Sequence, residues 1–198
     1  MNFVSASPSI VRSVLQRSLL NTWQRAYDRC DGLPAFHQFE FDRLEDERPD
    51  MIWFDIVTDE QRPRFRIAHQ GNRLAVVYGF MAKGEDLEKL LRPHHVAVVM
   101  PVYYECLSRC RPIYSVYALP NVDGRRVLYE RLLLPFGSGG EPNFMLSSVK
   151  AISDSGAFVQ KNLMLPDATV VHEIQAVIDS GLAMSRIEKQ LDSEVIEL

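Results

Sequence analysis

One run, Val127 to Leu134, narrows the folding options of this chain more than any other. Its two alternating rows, Val127, Tyr129, Arg131, Leu133 and Leu128, Glu130, Leu132, Leu134, are both largely apolar. Successive strand residues point to opposite faces, so a strand with two apolar rows is covered on both sides over most of its length. Asn121-Val122-Asp123-Gly124 before it and Ser138-Gly139-Gly140 after it are turn sequences. Pro112 to Pro120, this run and the segment after the second turn therefore read as an antiparallel meander with the run at its centre. Glu130 and Arg131 sit mid-strand and cannot pair with each other. Each needs its own partner or solvent. The structural expectation is that Glu130 anchors a basic residue such as Arg66 or Arg73. The functional one is that Glu130 or Arg131 orients a ligand or transmits strain to an attached helix.

Two more strands precede the meander. MIWFDIV from Met51 is aromatic and β-branched, and Arg64 to Gln70 alternates, with Phe65, Ile67 and His69 on one face. The spacing predicts strands near 51–58, 64–70, 113–119, 126–135 and 143–151. Between the second and third lie NRLAVVY framed by Gly71 and Gly79, a short helix from Gly84, and a helical pattern from Pro93 to Cys110. Pro101 falls inside that pattern, either kinking the helix or starting it afresh. Ahead of the strands, Ser7-Pro8 is a helix start and Ile10 to Tyr27 carries a helical apolar stripe. A loop with a short helical turn near Phe41 to Glu47 follows. After the strands, Val170, Ile174, Val177, Met184 and Leu191 fall near heptad spacing, which predicts a helix from about Asp167 to Ser193.

YERLLLPFG with its Gly-containing turn and one last strand resembles the signature of a bacterial, mostly alphaproteobacterial, family of stand-alone PAS-fold proteins. NTWQRAYDRCDGLP, a Trp-bearing helix running into a Pro loop, resembles the family's opening, and Gly71-NRLAVVY-Gly79 its second strand passing into a short helix. The resemblance covers roughly Trp23 to Ile152. It implies an α+β fold, a PAS-like five-stranded antiparallel sheet with helices on one face, plus N- and C-terminal flanking helices. The last strand is then central, between the first and the fourth. The domain division expected is 1–30 for the N-terminal helix, 31–155 for the PAS-like domain and 156–198 for a C-terminal helical extension.

Composition limits function more than it defines it. The chain has 198 residues, 46% of them hydrophobic, and a net charge of −4 with both signs interspersed. That fits one domain with extensions and argues against nucleic acid as the main partner. VAVVMPVYY is too short for a membrane span and contains a proline. No secretory signal is expected, and three cysteines cannot all pair within one chain, which points to the cytoplasm. The sequence has no G-x-S-x-G, G-x-x-x-x-G-K-S/T or H-E-x-x-H motif, so no enzyme activity is expected.

Candidate residues remain. His94-His95 with Cys106 and Cys110 match no zinc framework, so one buried thiol, one half-exposed thiol and two solvent-side imidazoles are expected and no metal. Some PAS domains bind haem through a histidine near the position of His95. Haem is a minor alternative, and no cofactor is expected. Tyr103, Tyr104, Tyr114, Tyr117 and Tyr129 form the densest aromatic group. Core packing is the commoner role of such residues. If a pocket exists, its candidates are His95, Tyr103, Tyr104, Tyr117, Tyr129 and Arg131, with walls from the helices between Leu74 and Cys110 and the strand from Ile113. Val170, Ile174, Val177 and Met184 are candidates for a homodimer interface along the C-terminal helix. The function expected is a non-enzymatic PAS-type sensory or regulatory module that passes its state to an unidentified signalling protein. The alternative is a sensor that binds a small molecule.

Overall fold

The computed structural model describes residues 2–39, 44–58, 62–120, 124, 126–138, 140–153, 168–179 and 181. In chain order the elements are β1 (Val4–Ala6), α1 (Val14–Tyr27), β2 (Met51–Thr58), β3 (Pro63–Gln70), α2 (Asn72–Tyr78), α3 (Leu87–Leu90), α4 (Pro93–Arg109), β4 (Ile113–Pro120), β5 (Arg126–Ser138), β6 (Glu141–Ser153) and β7 (Val171–Ile178). One sheet holds all seven strands in the order β1-β7-β4-β5-β6-β2-β3. Only β1 and β7 run parallel; every other pair is antiparallel. β6 lies between β2 and β5, the central place expected for the last PAS strand. Strands β2 to β6, with α2, α3 and α4 across one face, make a PAS-like α+β fold.

The double apolar character of β5 has a direct consequence. Val127, Tyr129 and Leu133 join a core beneath α2 to α4, while Leu132 and Leu134 join a second core on the other side. That second core is roofed by α1 through Leu19, Leu20 and Trp23. The Trp23 indole N–H donates to the Pro135 carbonyl at 2.7 Å, and Gln16 donates to the Glu130 and Ser148 carbonyls. The sheet is thus covered on both faces.

Gly71 and Gly79 frame α2 for separate reasons. A Cβ on Gly71 would lie 2.2 Å from the Pro49 carbonyl oxygen, whereas Gly79, at φ +81°, ends the helix in the left-handed region. α4 runs unbroken through Pro101. The carbonyl that the missing N–H would have met belongs to Ala97, an exposed residue.

Two expectations about the termini are corrected. α1 starts at Val14, with the Ser13 hydroxyl accepting from the Gln16 amide, and Pro8–Ile10 forms only a 3-10 turn. Pairing of Val4–Ala6 with β7 holds the chain extended just before that turn. The helix expected over 167–193 is a strand over Val171–Ile178, hydrogen-bonded to β4 on one side and β1 on the other. Val171, Ile174, Val177 and Ile178 are β-branched and suit either pattern in isolation. The open edge of β4, with its row of unpaired backbone groups, selects the strand. Residues 182–193 of the expected helix lie outside the described residues.

Candidate functional site

Between the sheet and α2 to α4 lies a cavity of about 200 Å³. Ile52 of β2 and Ile67 of β3 form its floor with Tyr117 and Leu119 of β4. Leu87 and Leu90 of α3 and Val99 and Tyr103 of α4 form its roof, and Val170 closes it just before β7. The strands contribute because their inward side chains alternate with those of the opposite core. The helices contribute because α2 and α3 are short and lie with the longer α4 across the same face of the sheet.

Two polar residues in the wall are already engaged by backbone. The Gln70 amide donates to the Phe80 carbonyl at 3.1 Å, and its oxygen accepts from the Ala82 N–H at 2.7 Å, which pins the loop after α2. His95 Nε2 lies 2.7 Å from the Ala168 carbonyl oxygen, holding the segment before β7 over the cavity.

Arg131 differs from both. It rises from β5 into the cavity wall and is only 7% exposed. One Nη donates to the Tyr117 hydroxyl at 2.8 Å, and the Tyr78 hydroxyl also meets the guanidinium. The guanidinium carbon sits 4.9 Å from the Tyr117 ring centre and 5.4 Å from that of Tyr103. Its buried Nε has no hydrogen-bond acceptor. Among the described residues no carboxylate pairs with it. Burial pushes the Tyr117 and Tyr129 hydroxyls well above the ordinary phenol range, so the surrounding phenols are neutral. Arginine does not give up its proton in proteins. A full charge is therefore buried among neutral partners, an arrangement that costs several kcal/mol per ion before compensation. Nearby, burial and then the Arg131 charge hold the His172 imidazole below its usual range, so that ring adds no second cation at neutral pH.

Of the six pocket candidates, His95, Tyr103, Tyr117 and Arg131 line the cavity. His95 is half-buried, not solvent-side as the sequence suggested. Tyr129 stands behind the wall, its ring stacked on Tyr117 at 5.4 Å. Tyr104 does not line the cavity; half-buried, it packs against Phe65 of β3. Tyr114 belongs to the opposite core. Among the interface candidates, Val170 lines the cavity, Val177 lies in the core beneath it, and Ile174 packs against the α1-side core. Met184 lies outside the described residues. Sequence reasoning missed Gln70, Tyr78, Arg92 and His172. The first three sit at element ends, where no periodicity marks them, and His172 was read as part of a helix.

The partner expected for Glu130 is also corrected. Arg66 pairs with Asp86 and Arg73 with Asp50. Glu130 faces α1 instead, with Arg12 Nε 4.0 Å from its carboxylate. Cys106 is buried, donating to the Arg111 carbonyl, and Cys110 is half-buried. Among the described residues no group of His, Cys, Asp and Glu is placed to hold a metal ion, and no helix is long and apolar enough to cross a membrane.

No family model matches the chain, and no curated protein matches it. Solved structures do. A light-oxygen-voltage domain studied with a flavin analogue aligns over 57% of this chain and 84% of its own, at 14% identity and a TM-score of 0.42. A LOV protein of Rhodobacter sphaeroides aligns over 70% of both chains at 15% identity and a TM-score of 0.40. An RNA-binding light-oxygen-voltage receptor aligns over 73% of this chain and 36% of its own, at 12% identity and a TM-score of 0.37.

Proposed function

We propose that this chain is a PAS-type sensory module that binds a small molecule in the cavity between sheet and helices and acts by binding, without catalysis. The observation that carries the reading is Arg131, a buried guanidinium lining an apolar cavity with no carboxylate beside it among the described residues. A few convergent polar groups in an otherwise apolar cavity are the general form of a ligand site. At about 200 Å³ the cavity lies below the roughly 300–1,000 Å³ that takes a drug-sized molecule, so the ligand is compact.

Neither large planar cofactor suits it. Haem, the minor alternative from the sequence, is a four-ring macrocycle that exceeds a space of about 200 Å³. A flavin, the group named for one LOV neighbour, has a three-ring system with a long side arm that exceeds the space.

The family membership suggested by the YERLLLPFG strand belongs to the same proposal, as does an output through a protein partner or a second copy of this chain. Val14 on α1, 70% exposed, supports a contact on that side. Light scattering at high concentration checks the homodimer, which should give about twice the 22.7 kDa chain mass.

Native mass spectrometry tests the ligand. Protein purified without denaturation should carry a small extra mass, and Val99→Phe, which fills the cavity, should lose it. The reading fails if wild-type and Val99→Phe each show only the bare mass of their own chain and no small molecule shifts the melting temperature of either.

A further inference from the structure

We infer that the cavity takes a small monocarboxylate, an organic acid whose carboxylate accepts from the Arg131 guanidinium beside the Tyr78 and Tyr117 hydroxyls while a compact apolar body lies among Ile52, Ile67, Leu87 and Val99. This rests on the ligand-binding reading above and gives it a chemical class.

The charge of the ligand follows from Arg131. The residue is more than nine-tenths buried, lines the cavity, and keeps a buried Nε–H without an acceptor. Its other contacts are neutral: the Tyr117 hydroxyl at 2.8 Å, the Tyr78 hydroxyl and two ring faces. A guanidinium fork matches a carboxylate in shape and charge, and such bonds are the strong ones. Two tyrosine hydroxyls beside it can donate to the same carboxylate oxygens, since a phenol both donates and accepts.

The charge count separates a carboxylate from a phosphate. A phosphate monoester carries close to two negative charges near neutral pH. Among the described residues Arg131 is the one cation buried in this wall. Arg92 lies at the exposed end, and His172 behind the wall is neutral. A single negative charge balances the site.

The size of the body follows from the volume. An apolar cavity of about 150 Å³ admits benzene. About 200 Å³ leaves room for a ring or short aliphatic chain of that size with one carboxylate arm. Gln70 and His95 are spent on backbone, so little in the wall rewards further hydroxyls on the body.

Isothermal titration of the full chain with phenylacetate and its neutral isostere phenylacetamide, then with hexanoate and hexanamide, tests this directly. Each acid should bind about tenfold or more tightly than its amide, because only the acid neutralises the buried cation. Arg131→Met should abolish that preference, and Tyr78→Phe, at a half-buried position, should weaken the acids several-fold while leaving the amides unchanged. Should Arg131→Met not fold, the acid-to-amide ratio in wild-type and Tyr78→Phe decides alone. Equal binding of acid and amide overturns the carboxylate and leaves the cavity reading intact. So does binding of neither probe by protein that retains another small molecule in native mass spectrometry. Binding of neither, with no retained molecule, overturns both.

Discussion

The two faces of the sheet are built from neighbouring residues of the same strand, yet they solve the buried-charge problem in opposite ways. On the α1 side Glu130 is wholly buried, and the segment leading into α1 brings Arg12 to 4.0 Å from its carboxylate, while the Gln16 amide donates to the adjoining carbonyls. Glu47 on that side is held by Lys150 at 2.6 Å and accepts from the Ser148 hydroxyl at 2.5 Å. On the other side Arg131 faces a cavity and neutral phenols. One face brings charged partners to its buried carboxylates, whereas the other leaves a charge unmatched beside empty volume, the contrast on which the proposed ligand site rests.

Substitutions sharpen this comparison, the largest effect coming from the α1 side. Trp23→Ala removes a side chain 1% exposed together with its hydrogen bond to Pro135. It should cost about 3–5 kcal/mol in urea unfolding, and a loss under about 1 kcal/mol would mean that α1 is not part of the core. Adding volume should separate the faces next. Val116→Phe, in the α1-side core, should destabilise by about 1–3 kcal/mol, whereas Val99→Phe, at the cavity, should stay within about 1 kcal/mol of wild-type. Equal costs at both sites would show that the cavity collapses in solution.

Arg131→Met, measured without ligand, should raise stability by about 1 kcal/mol or more, since replacing a buried charge by a well-packed apolar chain is often stabilising. A clear loss would point to a counter-ion already inside the fold.

The smallest effect is one of pH. Burial, outweighing the favourable contacts of each, raises the Glu47 and Glu130 carboxyls above 4.5. The folded chain then binds these protons more tightly than the unfolded one, so their contribution is full below that value and falls as pH climbs through the raised folded values. Glu130→Gln should flatten this slope in urea titrations between about pH 4 and pH 7, and Arg131→Met should leave it unchanged.

The five strands were legible in the sequence for a physical reason. β2, β3, β4, β5 and β6 carry alternation or double apolar rows bounded by turn residues, signals that need no knowledge of the rest of the chain. The glycine frame of α2 was legible through the family resemblance, and the structure gives its reason: a left-handed helix end at Gly79 and a close backbone approach at Gly71. Three cavity residues, Tyr103, Tyr117 and Arg131, were legible as members of a tyrosine-rich group and a mid-strand Arg, and His95 through the PAS resemblance.

What sequence alone could not decide were choices between partners. Val171–Ile178 has residues that suit a helix or a strand, and only the vacant edge of β4, far away in the chain, makes it a strand. The same holds for the charges. Periodicity put Glu130 and Arg131 on opposite faces, and that was correct. Which face would bring a counter-charge and which would keep a cavity depended on where α1 and α2 to α4 settled, and packing across the sheet is a property of the assembled core, not of any one stretch.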